Sequence, residues 1–373
     1  MRLWRILRKN NMPNNLQTLE EVASEIKSRL DSTSEKKKIV LIYAFNGVGK
    51  TRLSSVISSQ QEEDDVSLLS YNAFFEDLFT WDNEQYVLMC NKNNFIIRFI
   101  IDQGLENKIT DNFQKLTKSK IFPLYDLNSG KITFNFSPGD ERQEENIKIS
   151  RGEESLFVSS VFYTVLDAAI SALNSKKEDR ETEVFNDLKY IVIDDPVSSI
   201  DDTKIITTAI ELVRILNTVE GNNLKFLITT HHALFFNILH NEFNRDSNFR
   251  LFPFLLSKNA TEYKLIEQRD SPFSYHVTIK DEIREALDNK ILKKYHFNLF
   301  RGLLEKTASF LGYTNWTDCV EEGGNKQEII RLVNLYSHGK LSELESTNFP
   351  DEHKDVFNEV FSNFVKIFKW KEK

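Results

Sequence analysis

Three short apolar runs set the frame of the chain. Residues 39–43 (Ile-Val-Leu-Ile-Tyr), 190–193 (Tyr-Ile-Val-Ile) and 225–229 (Lys-Phe-Leu-Ile-Thr) are rich in β-branched and aromatic side chains, the pattern of strands buried on both faces of a parallel sheet. A polar, helix-like run at 52–59 follows the first of them. From about Thr278 the apolar positions change to helical spacing, which predicts helices over 278–290, 293–311, 326–338 and 351–368. The polar stretches 60–65, 139–145 and 174–183 read as surface loops. The change of period places an α/β domain over residues 1–264 and a mainly α-helical domain over 265–373.

Composition narrows the class. A chain of 373 residues suits about two domains. No apolar run is read as approaching the ~20 residues needed to cross a bilayer. Near the start, Arg2, Arg5, Arg8 and Lys9 interrupt Trp4, Ile6 and Leu7, which breaks any signal-peptide core. The two cysteines, Cys90 and Cys319, supply neither a disulfide framework nor a thiolate metal site. A cytoplasmic protein with no membrane partner is expected. The net charge of −8 excludes a general coat for nucleic acid, so any such contact must be local.

The first apolar run leads into Ala44-Phe45-Asn46-Gly47-Val48-Gly49-Lys50-Thr51, a P-loop in its required context of strand, loop and helix. Around Asn46, the glycines Gly47 and Gly49 let backbone amides close on phosphate, Lys50 would reach the β- and γ-phosphates, and the Thr51 hydroxyl would ligate Mg²⁺. Four further motifs follow in order. Residues 149–153 (Ile-Ser-Arg-Gly-Glu), with Ser150 and Gly152, resemble the signature loop of ABC-type ATPases, which caps a γ-phosphate held by a partner subunit. The strand at 190 ends in Asp194, which would hold Mg²⁺ through water, and Asp195, which would polarise the attacking water. Residues 198–201 match the D-loop, and His231 stands where the switch histidine belongs, with His232 an equal candidate on composition. Ala44 replaces the usual glycine, and Asp195 replaces the usual glutamate with a reach shorter by roughly 1.5 Å, which suits a slow switch. About a hundred residues separate Thr51 from Ser150, too few for the coiled-coil arm of chromosome-maintenance ATPases. Gln85, Gln103 and Gln114 stay open as Q-loop candidates.

In the helix at 293–311, Leu299, Phe300, Leu303, Leu304, Thr307, Phe310 and Leu311 form one stripe expected to face a core. Arg301 and Glu305, four apart, project from the other side, where a solvated salt bridge is the plain reading. His338 ends the next helical run just before Gly339, where it could cap exposed carbonyls whose dipole raises its pKa. Arg, Glu and His together can also cleave RNA without metal. The carboxylate takes the ribose 2′-OH proton, the guanidinium binds the phosphorane charge, and the imidazolium protonates the departing 5′-oxygen. A 2′,3′-cyclic phosphate and a 5′-OH result.

A resemblance joins these sites. The chain resembles the PrrC-type bacterial anticodon nucleases over nearly its whole length, at 42–47, 71–74, 152–155, 193–199 and, most specifically, 295–297 and 305–313. The resemblance implies an ABC-type ATPase domain joined to a C-terminal nuclease, with the family's Arg-x-x-x-Glu pair and downstream His falling on Arg301, Glu305 and His338; it makes Ala44 and Asp195 family features. It further implies cleavage 5′ of the wobble base in the anticodon stem-loop of a tRNA, with lysine tRNA the best-known target. Implied cofactors are Mg²⁺ with ATP or GTP, and dTTP as a candidate second regulatory nucleotide. Implied partners are a second copy in a nucleotide-sandwich dimer or higher oligomer, and a type I DNA restriction–modification complex that silences the nuclease in antiviral defence. Residues 270–276, with Asp270, Ser271, Ser274, Tyr275 and His276, resemble the family's tRNA-recognition stretch; an ordinary strand and loop is the other reading, and His276 and His296 could equally be core histidines. The rival class is a nucleotide-dependent sensor or DNA-maintenance ATPase whose helical C-terminal domain is non-catalytic.

Overall fold

The computed structural model describes residues 14–58, 67–71, 78–136, 146–198, 200–221, 223–258, 262–268, 274–321, 325–337 and 350–370. Two compact units divide the chain, Met1–Pro272 and Phe273–Lys373.

Within the first unit the elements run β1 (Asn14–Leu16), α1 (Leu19–Leu30), β2 (Lys37–Ala44), α2 (Lys50–Ser58), β3 (Leu68–Tyr71), β4 (Phe79–Asp82), β5 (Val87–Cys90), α3 (Phe95–Asp102), α4 (Glu106–Thr117), β6 (Ile121–Asp126), β7 (Lys131–Phe136), α5 (Arg151–Asn174), β8 (Tyr190–Asp194), α6 (Asp202–Asn217), β9 (Lys225–Thr230), α7 (Ala233–Arg245), β10 (Phe249–Lys258) and β11 (Tyr263–Glu267). Seven strands form one sheet in the order β1-β11-β10-β2-β9-β8-β3. Neighbouring strands from β10 to β3 pair in parallel, while β11 and β1 add antiparallel to one edge. The three apolar runs thus sit centrally as β2, β9 and β8, and every residue of β2 after Lys37 is buried. One face is covered by α1, whose Val22, Ile26 and Leu30 pack with Val40, Ile42 and Leu256.

A smaller sheet, β4-β5-β7-β6, lies between β3 and α5 in sequence. Phe113 and Phe134 pack on Phe157 of α5 with ring centroids 5.7 and 5.3 Å apart. Among the described residues α5 is the one helix long and apolar enough to cross a membrane, which corrects the expectation that no such stretch exists; 72% of that stretch is buried inside the unit, so the apolar surface is core.

The domain boundary falls eight residues later than the expected 264–265, because β11 completes the sheet by pairing with both β10 and β1. Beyond it lie α8 (Ser274–Asp288), α9 (Lys294–Leu311), α10 (Lys326–Ser337) and α11 (Asp351–Ile367). Their core centres on Phe300, whose ring lies 5.3 to 5.5 Å from Phe357, Phe361 and Phe364. The buried face of α9 is His296, Phe297, Phe300, Leu303, Leu304 and Ala308. Phe310, 91% exposed, and Leu311 fall outside the core, contrary to the stripe read from the sequence; Gly312 terminates the helix in the left-handed region at φ 77°, so the last turn runs past the core.

The expected loops at 60–65 and 139–145 lie outside the described residues, as do Asp270, Ser271 and His338. Ser274, Tyr275 and His276 open α8, so a helix start stands where a strand and loop were the plain reading.

Candidate nucleotide and nuclease sites

The P-loop spans the end of β2 and the start of α2. Gly47 and Gly49 take φ values of 82° and 111°, which side chains disfavour. Lys50 is 7% exposed, and its ammonium turns back on the loop, donating to the Ala44 carbonyl (3.2 Å) and to Asn46 Oδ1 (3.1 Å) while lying 3.5 Å from Asp195 Oδ2. Oxygens therefore occupy the ammonium's donor positions where phosphate oxygens would.

Asp194 and Asp195 end β8 in different electrostatic states. Asp194 is buried, which pushes its carboxyl above the usual range against hydrogen bonds from Thr229 and Thr51. Burial opposes ionisation of Asp195 too, but the His231 hydrogen bond and the charges of His231 and Lys50 outweigh it and hold its carboxyl below the usual range. His231 Nδ1 lies 2.6 Å from Asp195 Oδ2, and the His231 amide donates to Oδ1 at 3.2 Å. His232 instead caps α7, its amide donating to Thr230 Oγ1, so geometry separates two histidines that composition could not. Asp195 adopts φ 51° and its amide donates to the Thr229 carbonyl. A non-glycine residue in this region stores strain, which accumulates where a side chain must be aimed.

The Thr51 hydroxyl and the Asp194 carboxylate meet, a hard-oxygen donor set that fits Mg²⁺ completed by phosphate and water. Among the described residues no group of three or more His, Cys, Asp or Glu could hold a metal unaided.

Ser150 caps α5: its Oγ accepts from the Glu153 amide, and Glu153 accepts from the Ser150 amide at 2.8 Å. Gly152 lies in the first turn of the same helix. Asp201 caps α6, accepting from the Thr203 and Lys204 amides. Each motif thus sits at a helix N-terminus or at a strand end. Of the Q-loop candidates, Gln114 donates to the Ile121 carbonyl within its own subdomain, Gln103 caps α3, and Gln85 lies in the β4–β5 turn.

In the second unit Arg301 is partly covered, beside an exposed Glu305. Its side chain is 18% exposed; Nε donates to Glu305 Oε1 at 2.8 Å, Nη1 donates to Asn334 Oδ1 at 3.0 Å, and the guanidinium lies 5.5 Å from the Trp316 ring centroid. Asn334 and Trp316 were not singled out by the sequence; Asn334 lies on the helical run that leads to His338, which was the available signal. His276 is half-buried, and burial followed by the Lys306 charge lowers its pKa. His296 is a core histidine: Nδ1 accepts from the Lys293 amide at 2.8 Å, and burial pushes its pKa down to about 4.

No known family profile matches the chain. A curated anticodon nuclease of Escherichia coli is 38% identical over 353 residues, covering 88% of each chain. Among solved structures, the RNase-L inhibitor aligns over 66% of this chain and 38% of its own at 11% identity and a TM-score of 0.34. The head domain of the SMC protein from Thermotoga maritima aligns over 64% of this chain and 93% of its own, at 10% identity and a TM-score of 0.32.

Proposed function

Because the chain belongs to the anticodon nuclease family, we propose that it is a nucleotide-controlled endoribonuclease that cuts a tRNA on the 5′ side of the wobble base, with lysine tRNA as the first substrate to test. The observation that carries the reading is the setting of Arg301, held by Glu305, Asn334 and Trp316. An exposed ion pair would leave the guanidinium mobile; this one is oriented, as recognition of a phosphorane requires.

Glu305 acts as base toward the ribose 2′-OH, Arg301 neutralises the charge that builds on phosphorus, and His338 delivers a proton to the leaving 5′-oxygen. These roles need no metal. An anticodon loop suits them, because its unstacked bases leave the 2′-OH free to reach in-line geometry. Ser274, Tyr275 and His276, with Asp270 and Ser271 ahead of them, contribute tRNA contacts.

Control resides in the first unit. Gly47, Gly49 and Lys50 would bind the phosphates of ATP or GTP, and Thr51 and Asp194 would hold Mg²⁺, which would supply neutralisation of phosphate charge. Asp195, oriented by His231, aligns the attacking water. Lys50 of one subunit and Ser150 and Gly152 of another complete each nucleotide site, so the active form is a dimer or higher oligomer. A restriction–modification complex as silencing partner, and with it a role in antiviral defence and a cytoplasmic setting, belong to the same reading.

Sequencing the ends of cellular RNA after induced expression tests the proposal. The expected result is a 2′,3′-cyclic phosphate and a 5′-OH within one anticodon loop. Ends bearing 3′-OH and 5′-phosphate would sink the metal-free mechanism, and intact tRNA would favour a nucleotide-dependent sensor with a non-catalytic helical unit.

A further inference from the structure

The two ends of β2 carry two lysines with different surroundings. Lys50 follows its carboxyl end; Lys38 sits at its amino end, 6% exposed, lining a cavity of about 400 Å³ within the first unit. The cavity is lined by the end of α5, by the approach to β8 and by the turn into β9, and its charged lining is Lys38, Arg180, Lys189 and Lys225 against Asp187 and Glu220.

Strand register makes the cation cluster compact. Lys38 pairs across the sheet with Arg250 of β10 on one side and with Lys225 of β9 on the other, and the Lys189 carbonyl accepts from the Lys225 amide. Like charges placed directly opposite on neighbouring strands repel. Lys225 is answered by Asp31 and the Tyr190 hydroxyl, and Arg180 by the Ser175 carbonyl and Asn186. Beyond the sheet ladder, the Lys38 side chain makes no hydrogen bond or ion pair with any described residue, and Asp31 acts on it only through space. Burial, then the Lys225 charge, lower its pKa, with Asp31 acting in the opposite direction. A lysine side chain that is largely covered, crowded by like charge and without a contact partner is better accommodated when an anion enters to meet it.

We infer that this cavity is a binding site for a small phosphate monoester, separate from the P-loop, with Lys38 at its floor and Lys189 at its rim. The ligand class follows from the donors. Lysines present compact point charges to a tetrahedral dianion, whereas a planar carboxylate is matched by an arginine fork, and Arg180 is already committed. The volume lies in the range that holds one small molecule, and the recessed position of Lys38 favours such a molecule over the backbone of a nucleic acid. The inference does not depend on the nuclease reading.

The test uses the full chain carrying Lys50→Ala, so that the P-loop no longer contributes to phosphate binding, and titrates inorganic phosphate and AMP calorimetrically. Both are expected to bind, and adding Lys38→Met should weaken binding tenfold or more. AMP binding more tightly than phosphate assigns a nucleoside monophosphate; equal affinities assign the free anion. Lys38→Met should melt at or above its parent in phosphate-free buffer, because an unanswered charge is gone, while phosphate should raise the melting temperature of the parent alone. Lys189→Ala, on the exposed rim, should weaken binding in the same direction without disturbing the core. Absence of binding to the Lys50→Ala parent, unchanged binding after Lys38→Met, or a lower melting temperature for Lys38→Met would overturn the assignment.

Discussion

Arg301 is fixed by a carboxylate, an amide and an aromatic ring, and each restraint makes a separate forecast. Arg301→Lys keeps the charge but loses the planar fork, so cleavage should fall by ~10²-fold or more, while an ordinary surface ion pair would survive the change with a cost below about 1 kcal/mol. Asn334→Ala leaves the guanidinium in place but less well aimed; a loss of about tenfold in kcat with little change in KM is expected, and Asn334→Asp, which restores an acceptor, should recover part of it. Single-turnover cleavage of an anticodon stem-loop measures both. At the nucleotide site, Asp195→Asn should preserve nucleotide binding through Lys50 and Thr51 yet abolish turnover, trapping the bound state. Undiminished hydrolysis would remove Asp195 from the chemistry.

At the scale of elements, the first turn of helix α9 contains His296, and that choice ties the second unit to pH. Its imidazole is neutral in the folded chain, with a pKa of about 4 against an ordinary 6.5. The unfolded chain therefore binds the extra proton first as pH falls. Stability is fully present above pH 6.5 and is lost as the pH drops toward 4, by up to roughly 3 kcal/mol from this group. Chemical denaturation at pH 7 and pH 4.5 should show that decline, and His296→Gln should flatten it; an unaltered slope would exclude His296 as its source. Elements differ too in how well the chain announces them. β2, β8 and β9 were legible because burial on both faces leaves an unbroken apolar run. The small sheet was not: β4 and β5 are four residues long, and β4 alone turns three of its residues outward or half-outward, too little for period-2 counting. Helix α5 hides its period for the opposite reason, burying Ser159, Ser160 and Thr164 alongside its apolar residues. Arg301 and Glu305 were legible as a pair, but not the company they keep, because Trp316 and Asn334 come from separate elements whose meeting depends on packing.

For the whole molecule, the proposal that each nucleotide site is shared between subunits has a simple genetic consequence. Lys50→Ala and Ser150→Ala should each abolish nucleotide-dependent turnover alone. Mixed together they regenerate one complete site per mixed dimer, and recovery to about a quarter of the wild-type rate is expected for random exchange. Stopped turnover in the mixture would mean that each subunit works by itself. The Lys50 ammonium adds a condition on entry. It holds the Ala44 carbonyl, the Asn46 amide oxygen and the flank of Asp195. Binding is then a trade of partners, and its net driving force is smaller than the contacts made to phosphate would suggest. In the proposed mechanism, an ammonium drawn toward bound phosphate gives up part of its hold on Asp195, and a carboxylate released from a cation becomes a stronger proton acceptor. On that reading, nucleotide binding and activation of the attacking water are coupled through one lysine.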